Sequence, residues 1–209
     1  MRPPTYTPRH RGPSSARHQA GFNLVELLVV VILLGIVFAV GFPSFQYVTN
    51  SGRISNPANE LLATVQLARM EAIRRGQRTV VCRSQNALAA APVCDTTAGN
   101  WAGWLAFVDA NGNGTFDAAG DVRLRVHNVN APAVVVASEA ISNGSNRIVF
   151  RPDGMARTAA GGLLGARIRV CVPSTTPSDN ARDLVITAGS RTAVIRVNAA
   201  GACAAPPNA

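Results

Sequence analysis

Residues 24–42 are the feature of this sequence that most constrains its fold. These nineteen residues are almost entirely apolar, and Glu26 is the only charged residue among them. As an α-helix with a rise of ~1.5 Å per residue, the run is roughly 28 Å long, which matches the hydrocarbon thickness of a bilayer. We therefore expect one membrane-spanning helix near the N-terminus. Its acid lies near the helix start, where a carboxylate suits the helix dipole.

The residues around this run form a processing pattern. Gly21 precedes Phe22, and Glu26 lies four residues after Phe22. A cut between Gly21 and Phe22 places a new positive amine one helical turn from Glu26, and the two charges could pair within one chain or between subunits. The pattern resembles the class III leader and N-terminal helix of type IV pilins and pseudopilins. The resemblance implies cleavage after Gly21 by a prepilin peptidase, methylation of the Phe22 amine and a role in assembly for Glu26, and Pro43 matches a common pilin feature.

The charges before the run predict an orientation. Residues 1–21 contain four arginines and no acid. By the positive-inside rule, the N-terminus stays in the cytoplasm and the body is exported, which predicts a single-pass inner-membrane protein with a periplasmic head. An ordinary secretory signal peptide cleaved near residues 37–39 is the alternative. We prefer cleavage after Gly21, because the apolar run is long for a signal peptide and the alternative leaves Gly21 and Glu26 unexplained.

The chain after the apolar run shows helical and then strand periodicity. We expect a cleaved leader at residues 1–21, a membrane and assembly helix at 22–50, its amphipathic second half at 51–76 and a β-rich head at 77–209. Ser51-Gly52 marks a possible break in the helix, which would begin again near Asn56-Pro57. In the second half, apolar residues at helical spacing predict one buried face, comprising Leu61, Val65, Ala68 and Ala72.

Short apolar runs separated by turn residues predict eight strands after the helix. They imply an α+β fold in which a long N-terminal helix packs on an antiparallel sheet or sandwich. The predicted strands are Thr79–Cys82, Trp104–Val108, Val122–Val126, Ala133–Ala137, Arg147–Phe150, Ala166–Val172, Asp183–Thr187 and Ala193–Val197.

Two stretches narrow the pilin resemblance. Residues 67–76, Leu-Ala-Arg-Met-Glu-Ala-Ile-Arg-Arg-Gly, and residues 101–109, Trp-Ala-Gly-Trp-Leu-Ala-Phe-Val-Asp, are similar to the helix end and the globular domain of the GspH/FimT family. The resemblance implies a minor pilin or pseudopilin of a type IV pilus or a type II secretion pseudopilus. Its implied partners are a prepilin peptidase, other pilins and the inner membrane. The alternative is a DNA-binding minor pilin that acts as a receptor in natural transformation.

Four cysteines stand in the predicted head. An even number in an exported domain favours two disulfides. Of the three connectivities, we favour Cys82–Cys94, which closes a short Ala-rich loop, and Cys171–Cys203, which pins the tail. The other possibility is that Cys203 stays free.

Residues 109–117 resemble the first half of a calcium loop. Oxygen-bearing side chains stand at positions one, three, five and nine, namely Asp109, Asn111, Asn113 and Asp117, with Gly114 at position six. Position twelve, normally a glutamate, is Gly120. Repeated Asn-Gly between two strands is also typical of a hairpin turn, and we prefer the turn. No other cofactor is expected.

The basic charge lies mainly in the C-terminal third. All twenty basic residues are arginines, and residues 140–209 contain eight of them against three acids. DNA-binding members of the resembled family carry a Gly-Arg-x-Arg signature, and residues 165–169 and 189–196 come near it without matching it. The candidates for contacts with DNA phosphates are Arg167, Arg169, Arg182, Arg191 and Arg196. A solvated arginine surface is the alternative, and the sequence leaves both open.

The sequence contains no evident catalytic constellation. Two of its three histidines lie in residues 1–21, which leaves His127 alone in the body. No serine or cysteine has an evident base partner, and no phosphate-binding glycine loop precedes a helix. We therefore expect a protein that is not an enzyme.

Overall fold

The computed structural model describes residues 23–209, without the side chains of residues 40 and 42–44. The described chain divides between residues 42 and 43 into two compact units. Helix α1 spans Leu24–Arg75, and a short helix, α2, spans Glu139–Ser142. The strands are β1 Arg78–Arg83, β2 Gly103–Asp109, β3 Val122–Asn128, β4 Val134–Ala137, β5 Arg147–Phe150, β6 Ala156–Arg157, β7 Ala166–Cys171, β8 Ala181–Ile186 and β9 Thr192–Val197.

Helix α1 has no break at Ser51-Gly52, where the sequence placed a possible one. A glycine inside a helix costs only about 1 kcal/mol relative to alanine, so it does not by itself end a helix. The next residues supply compensating burial, because Ile54, Ala58 and Leu61 are all at most 1% exposed. Packing against the head therefore outweighs the weak local signal.

The C-terminal half of α1 buries one face at helical spacing. Leu61, Val65, Ala68 and Ala72 are fully buried, as the periodicity predicted. Two hydrogen bonds fix the helix to the first sheet. In the first, Thr79 Oγ1 donates to the carbonyl of Ala68 at 2.8 Å. In the second, Trp104 Nε1 donates to Thr64 Oγ1 at 3.1 Å. The helix is thus a structural part of the head.

Two antiparallel sheets share the core with this half of α1. The first sheet has the strand order β3-β2-β1-β5-β6, and the second has the order β4-β7-β8-β9. The predicted α+β fold is therefore confirmed. The eight predicted strands each correspond to an observed one, and β6, which has two residues, was missed because it is too short to show a period of two.

The first sheet also packs on its outer face, the face away from α1. Val80, Cys82, Leu105 and Phe107 form a second, smaller core there, with Phe116 packed against it. The loop between β1 and β2 carries Cys94, which is bonded to Cys82. This is the connectivity that the sequence favoured.

The C-terminal tail lies against the second sheet. Cys203 is bonded to Cys171 at the end of β7, the second connectivity favoured from the sequence. Beyond the bond, the carbonyl of Ala204 accepts a hydrogen bond from Arg169, and Asn208 Oδ1 accepts one from the backbone N–H of Ala140. The tail is thus attached at three points to the four-stranded sheet and to α2.

His127 lies against the junction of helix and sheet. Its ring stacks on Trp104 with the ring centroids 4.4 Å apart. Burial lowers the pKa of His127 below its ordinary value of 6.5, although the carboxylate of Glu60 opposes this shift. The folded head therefore takes up a proton at this site less readily than the unfolded chain does.

We expect stability to fall as the pH is lowered through about 6.5 because of this histidine. The unfolded chain binds a proton at the ordinary imidazole pKa, whereas the folded head binds it only at lower pH, so acidification favours unfolding. His127→Gln should flatten the stability profile between about pH 7 and pH 5.5. The measurement is the urea midpoint at each pH. Parallel profiles for the two proteins would contradict the assignment.

Candidate assembly surface

The first half of α1 presents apolar side chains to its surroundings on every side. From Leu24 to Phe38, the large apolar side chains are between 45 and 77% exposed. They include eight consecutive residues, Leu27 to Leu34, so no single stripe of the helix accounts for them. A helix that is apolar all round is stable only when another apolar environment covers it. This surface, residues 24–38 of α1, is called the assembly surface below.

Glu26 is exposed in the first turn of α1. It is the only charged residue from 23 to 52. Asn23 begins the helix, since its carbonyl accepts the backbone N–H of Leu27 at 3.1 Å. The negative charge lies at the positive end of the helix dipole, which favours a carboxylate there.

Of the other residues predicted to act in assembly or processing, the structure describes only one. Pro43 lies within α1. Gly21, Phe22 and the leader at residues 1–21 are outside the residues that the structure describes. Over residues 23–209, no helix is long and apolar enough to cross a membrane, so the span predicted for residues 24–42 is not confirmed.

Four of the five arginines that the sequence proposed for DNA are divided between the two faces of the second sheet, and the fifth lies in a turn. Arg167 and Arg169 alternate with the core residue Ile168 and so lie on the outer face. Arg182 and Arg196 pair across β8 and β9, and together they line a cavity with residues of α1. Arg191 lies in the turn before β9. The structure therefore does not bring the five together on one surface.

Two of these arginines are also engaged within the protein. Arg169 makes a bidentate ion pair with the fully buried Asp183, with N–O distances of 2.7 and 2.9 Å. The hydrogen bonds to Asp183 raise the pKa of Arg169. Arg182 is buried, and burial together with repulsion from Arg196 lowers the pKa of Arg182. Only Arg191 and Arg196 are exposed, and DNA binding stays a prediction.

In the loop that resembled a calcium site, the polar atoms form hydrogen bonds with one another. The side-chain amides of Asn111 and Asn113 both donate to Asp117 Oδ2, at 2.8 and 2.7 Å. Asp109 Oδ2 accepts the backbone N–H of Gly114, and the side chain of Asp121 accepts two further backbone N–H groups. Within residues 23–209, no group of three or more His, Cys, Asp or Glu side chains is placed to hold a metal ion. The loop joins the antiparallel strands β2 and β3, as the turn interpretation requires, and calcium binding stays a prediction.

The family of the chain follows from a comparison of its sequence with family models. The model described as type II transport protein GspH matches residues 57–201. The chain belongs to the GspH family. The match covers the last nineteen residues of α1 and both sheets, and it confirms the GspH/FimT resemblance. The pilin-type features at residues 21–43 lie outside it and stay predictions.

The similarity of this chain to individual proteins is weaker than its match to the family model. Two crystal forms of the type IV minor pilin FimU of Pseudomonas aeruginosa match with a TM-score of 0.46 and 20% identity. One match covers 68% of this chain and 92% of FimU, and the other covers 70% and 91%. A search of curated proteins finds no match.

The family model describes a type II transport protein. The most informative feature of the described residues is the exposed apolar surface of α1, because its large side chains are at least 45% exposed. The sequence located it through the run of apolar residues, but it gave no sign that a second set of arginines, on the first sheet, converges on one cavity.

Proposed function

We propose that this GspH-family chain is a minor pilin or pseudopilin that enters a type IV pilus or a type II secretion pseudopilus through α1. The observation that carries the proposal is the assembly surface, whose large apolar side chains are all at least 45% exposed. Burying a Val, Leu or Ile side chain gains about 1.5–3 kcal/mol. A set of such side chains on one helix supplies a strong drive to pack against other helices of the same kind.

The same surface also suggests how the subunit is held before assembly. Acyl chains of the inner membrane would cover it, with the head in the periplasm and the basic residues 1–21 on the cytoplasmic side. This part of the proposal is supported by the family and by the exposed side chains of residues 24–38. It is not supported by a membrane span, because no described helix reaches the length and apolarity of one.

Glu26 would then set the position at which subunits pack against one another. After a prepilin peptidase removes residues 1–21, the new amine of Phe22 offers a positive partner for the carboxylate. A charge in an apolar surrounding is costly unless it is paired, so subunits would pack best where such a pair forms. This gives the apolar helix a preferred axial position, which apolar contacts alone do not specify.

The test is site-specific photo-cross-linking in the native host. A photoreactive phenylalanine is placed at Val31, which is 59% exposed on the assembly surface, or at Met70, which is 60% exposed on the head half of α1. We expect covalent adducts with other pilins from Val31 in sheared fibres or pseudopili, because α1 packs in their core. The position at Met70 controls for exposure.

The two positions make the result decisive. Adducts with other pilins from Met70 and none from Val31 would overturn the proposal. Identification of the cross-linked partner by mass spectrometry also separates the two assemblies, because the pilus and the pseudopilus contain different major subunits.

A further inference from the structure

Four arginines lie together on the outer face of the first sheet. Arg78 begins β1, Arg147 begins β5, Arg157 ends β6 and Arg151 follows β5 directly. Val80 pairs with Val149, and Val149 pairs with Arg157, so side chains two residues apart on these strands share that face. All four arginines line one cavity of about 250 Å³, together with Asn113 and Thr158.

The loop between β2 and β3 holds two of the guanidinium groups in place. Arg78 Nη1 donates to the carbonyl of Gly112 at 2.8 Å, and Arg147 Nη1 donates to the carbonyl of Gly114 at 2.9 Å. Gly114 has a φ of +75°, and a side chain there would collide with the guanidinium of Arg147. The Asn-Gly-Asn-Gly stretch therefore positions arginines, and the close approach requires glycine.

Two of the arginines that line the cavity each have a hydrogen-bond donor that the described protein atoms leave unused. Arg78 Nε and Arg157 Nε are buried, and neither has a hydrogen-bond partner among the described residues. Buried polar groups in folded proteins are normally paired, so each unpaired donor needs an explanation. A bound anion that accepts these hydrogen bonds supplies one.

The charge around the cavity indicates the charge of that anion. Two carboxylates stand beside the arginines: Asp109 lies 3.5 Å from Arg78 Nη2, and Asp153 lies 2.9 Å from Arg157 Nη2. Four arginines and two carboxylates leave two uncompensated positive charges. A phosphate monoester carries close to two negative charges at pH 7, and guanidinium groups suit its oxygens geometrically.

We propose that this cavity binds the phosphate group of a small phosphorylated molecule or of inorganic phosphate. The β2–β3 loop holds Arg78 and Arg147 in place, and Arg157 and the exposed Arg151 add positive charge. The residues of this site are distinct from those of the assembly surface.

The experiment is isothermal titration calorimetry of the full-length protein in non-ionic detergent. The probes are inorganic phosphate and glycerol 3-phosphate, and we expect a Kd of about 1 mM or tighter for at least one of them. Tighter binding of glycerol 3-phosphate would identify a phosphomonoester as the ligand, and equal binding would identify the phosphate group alone. Absence of binding by both probes would overturn the proposal.

Two variants test the cavity itself. Arg151→Gln changes an exposed residue, and Gly114→Ala displaces Arg147 while leaving all four arginines present. Each should weaken phosphate binding about tenfold, and Arg191→Gln, an exposed arginine of the other sheet, should not. Unchanged binding in Arg151→Gln, with its fold verified by circular dichroism, would overturn the assignment.

The dependence on ligand charge gives an independent check. Glycerol 3-phosphate loses its second negative charge below about pH 6, so its binding should weaken between pH 7.5 and pH 5.5, whereas sulfate binding should not. Acetate, a monoanion, should bind far more weakly than phosphate at either pH. Equal binding of acetate, or binding of an oligonucleotide but not of phosphate, would contradict a site for a dianion.

Discussion

Replacing Arg169 by methionine is expected to destabilise the head by about 3–5 kcal/mol, because it leaves the carboxylate of Asp183 buried and unpaired. Asp183 is fully buried, and Arg169 supplies both of its charge-assisted hydrogen bonds. The same guanidinium also donates to the carbonyl of Ala204, so the change loosens the tail as well. Unfolding in guanidinium chloride reports the loss through the fluorescence of Trp101 and Trp104, which are both buried.

The double variant Arg169→Met, Asp183→Leu separates lost pairing from lost packing. Removing both charges avoids the unpaired carboxylate, so much of the stability should return. Arg191→Met serves as the matched control, because Arg191 is exposed, and it should change stability by less than about 0.5 kcal/mol. A loss of the same size in Arg191→Met, or none in Arg169→Met, would contradict the account.

This expectation bears on the hypothesis of a DNA receptor. The sequence proposed Arg169 and Arg182 as contacts for phosphates, but the structure uses the first to neutralise a buried acid and buries the second. Loss of DNA binding in variants of these residues would therefore not distinguish a contact from a folding defect. Arg191 and Arg196 are the members of the set whose exposure permits a direct test.

Much of the fold was predictable because its signals are local. The face of α1 that contains Leu61, Val65 and Ala68 follows from helical spacing, and the strands follow from short apolar runs between turns. The possible break at Ser51-Gly52 does not occur, because core packing of the following turns outweighs a weak preference. The two residues of β6 gave no pattern because the strand is shorter than the period needs.

The sites were predictable only in part, because sheet order brings distant residues together. The exposed apolar side chains of residues 24–38 follow directly from the apolar run, and their role in assembly stays a proposal. The cavity, in contrast, depends on the pairing of β5 with β1 and of β6 with β5. Arg78 and Arg157 are far apart in the sequence, and their meeting follows from tertiary structure. The five arginines predicted to contact DNA were grouped by proximity in sequence, but four of them are divided between the two faces of the second sheet and Arg191 lies in a turn.

Replacing Gly21 by valine is expected to abolish processing and, with it, assembly. The proposed cut lies between Gly21 and Phe22, and a branched side chain at Gly21 would obstruct the peptidase. Without the cut, no new amine forms near Glu26, and four arginines remain attached ahead of the apolar helix. We expect the variant to accumulate as an unprocessed chain in the membrane fraction and to be absent from sheared fibres. Gly35→Val, inside α1 with open space around it, is the control and should be processed normally.

The central claim is that the mature subunit begins at Phe22 and keeps α1 as its assembly element. The most direct measurement is the intact mass, with the N-terminal peptide sequence, of the wild-type protein purified from its native host. The account predicts a chain that starts at Phe22 and retains the whole assembly surface. A mature chain that starts just after Ala39, as removal of an ordinary signal peptide would give, lacks that surface and would contradict the account.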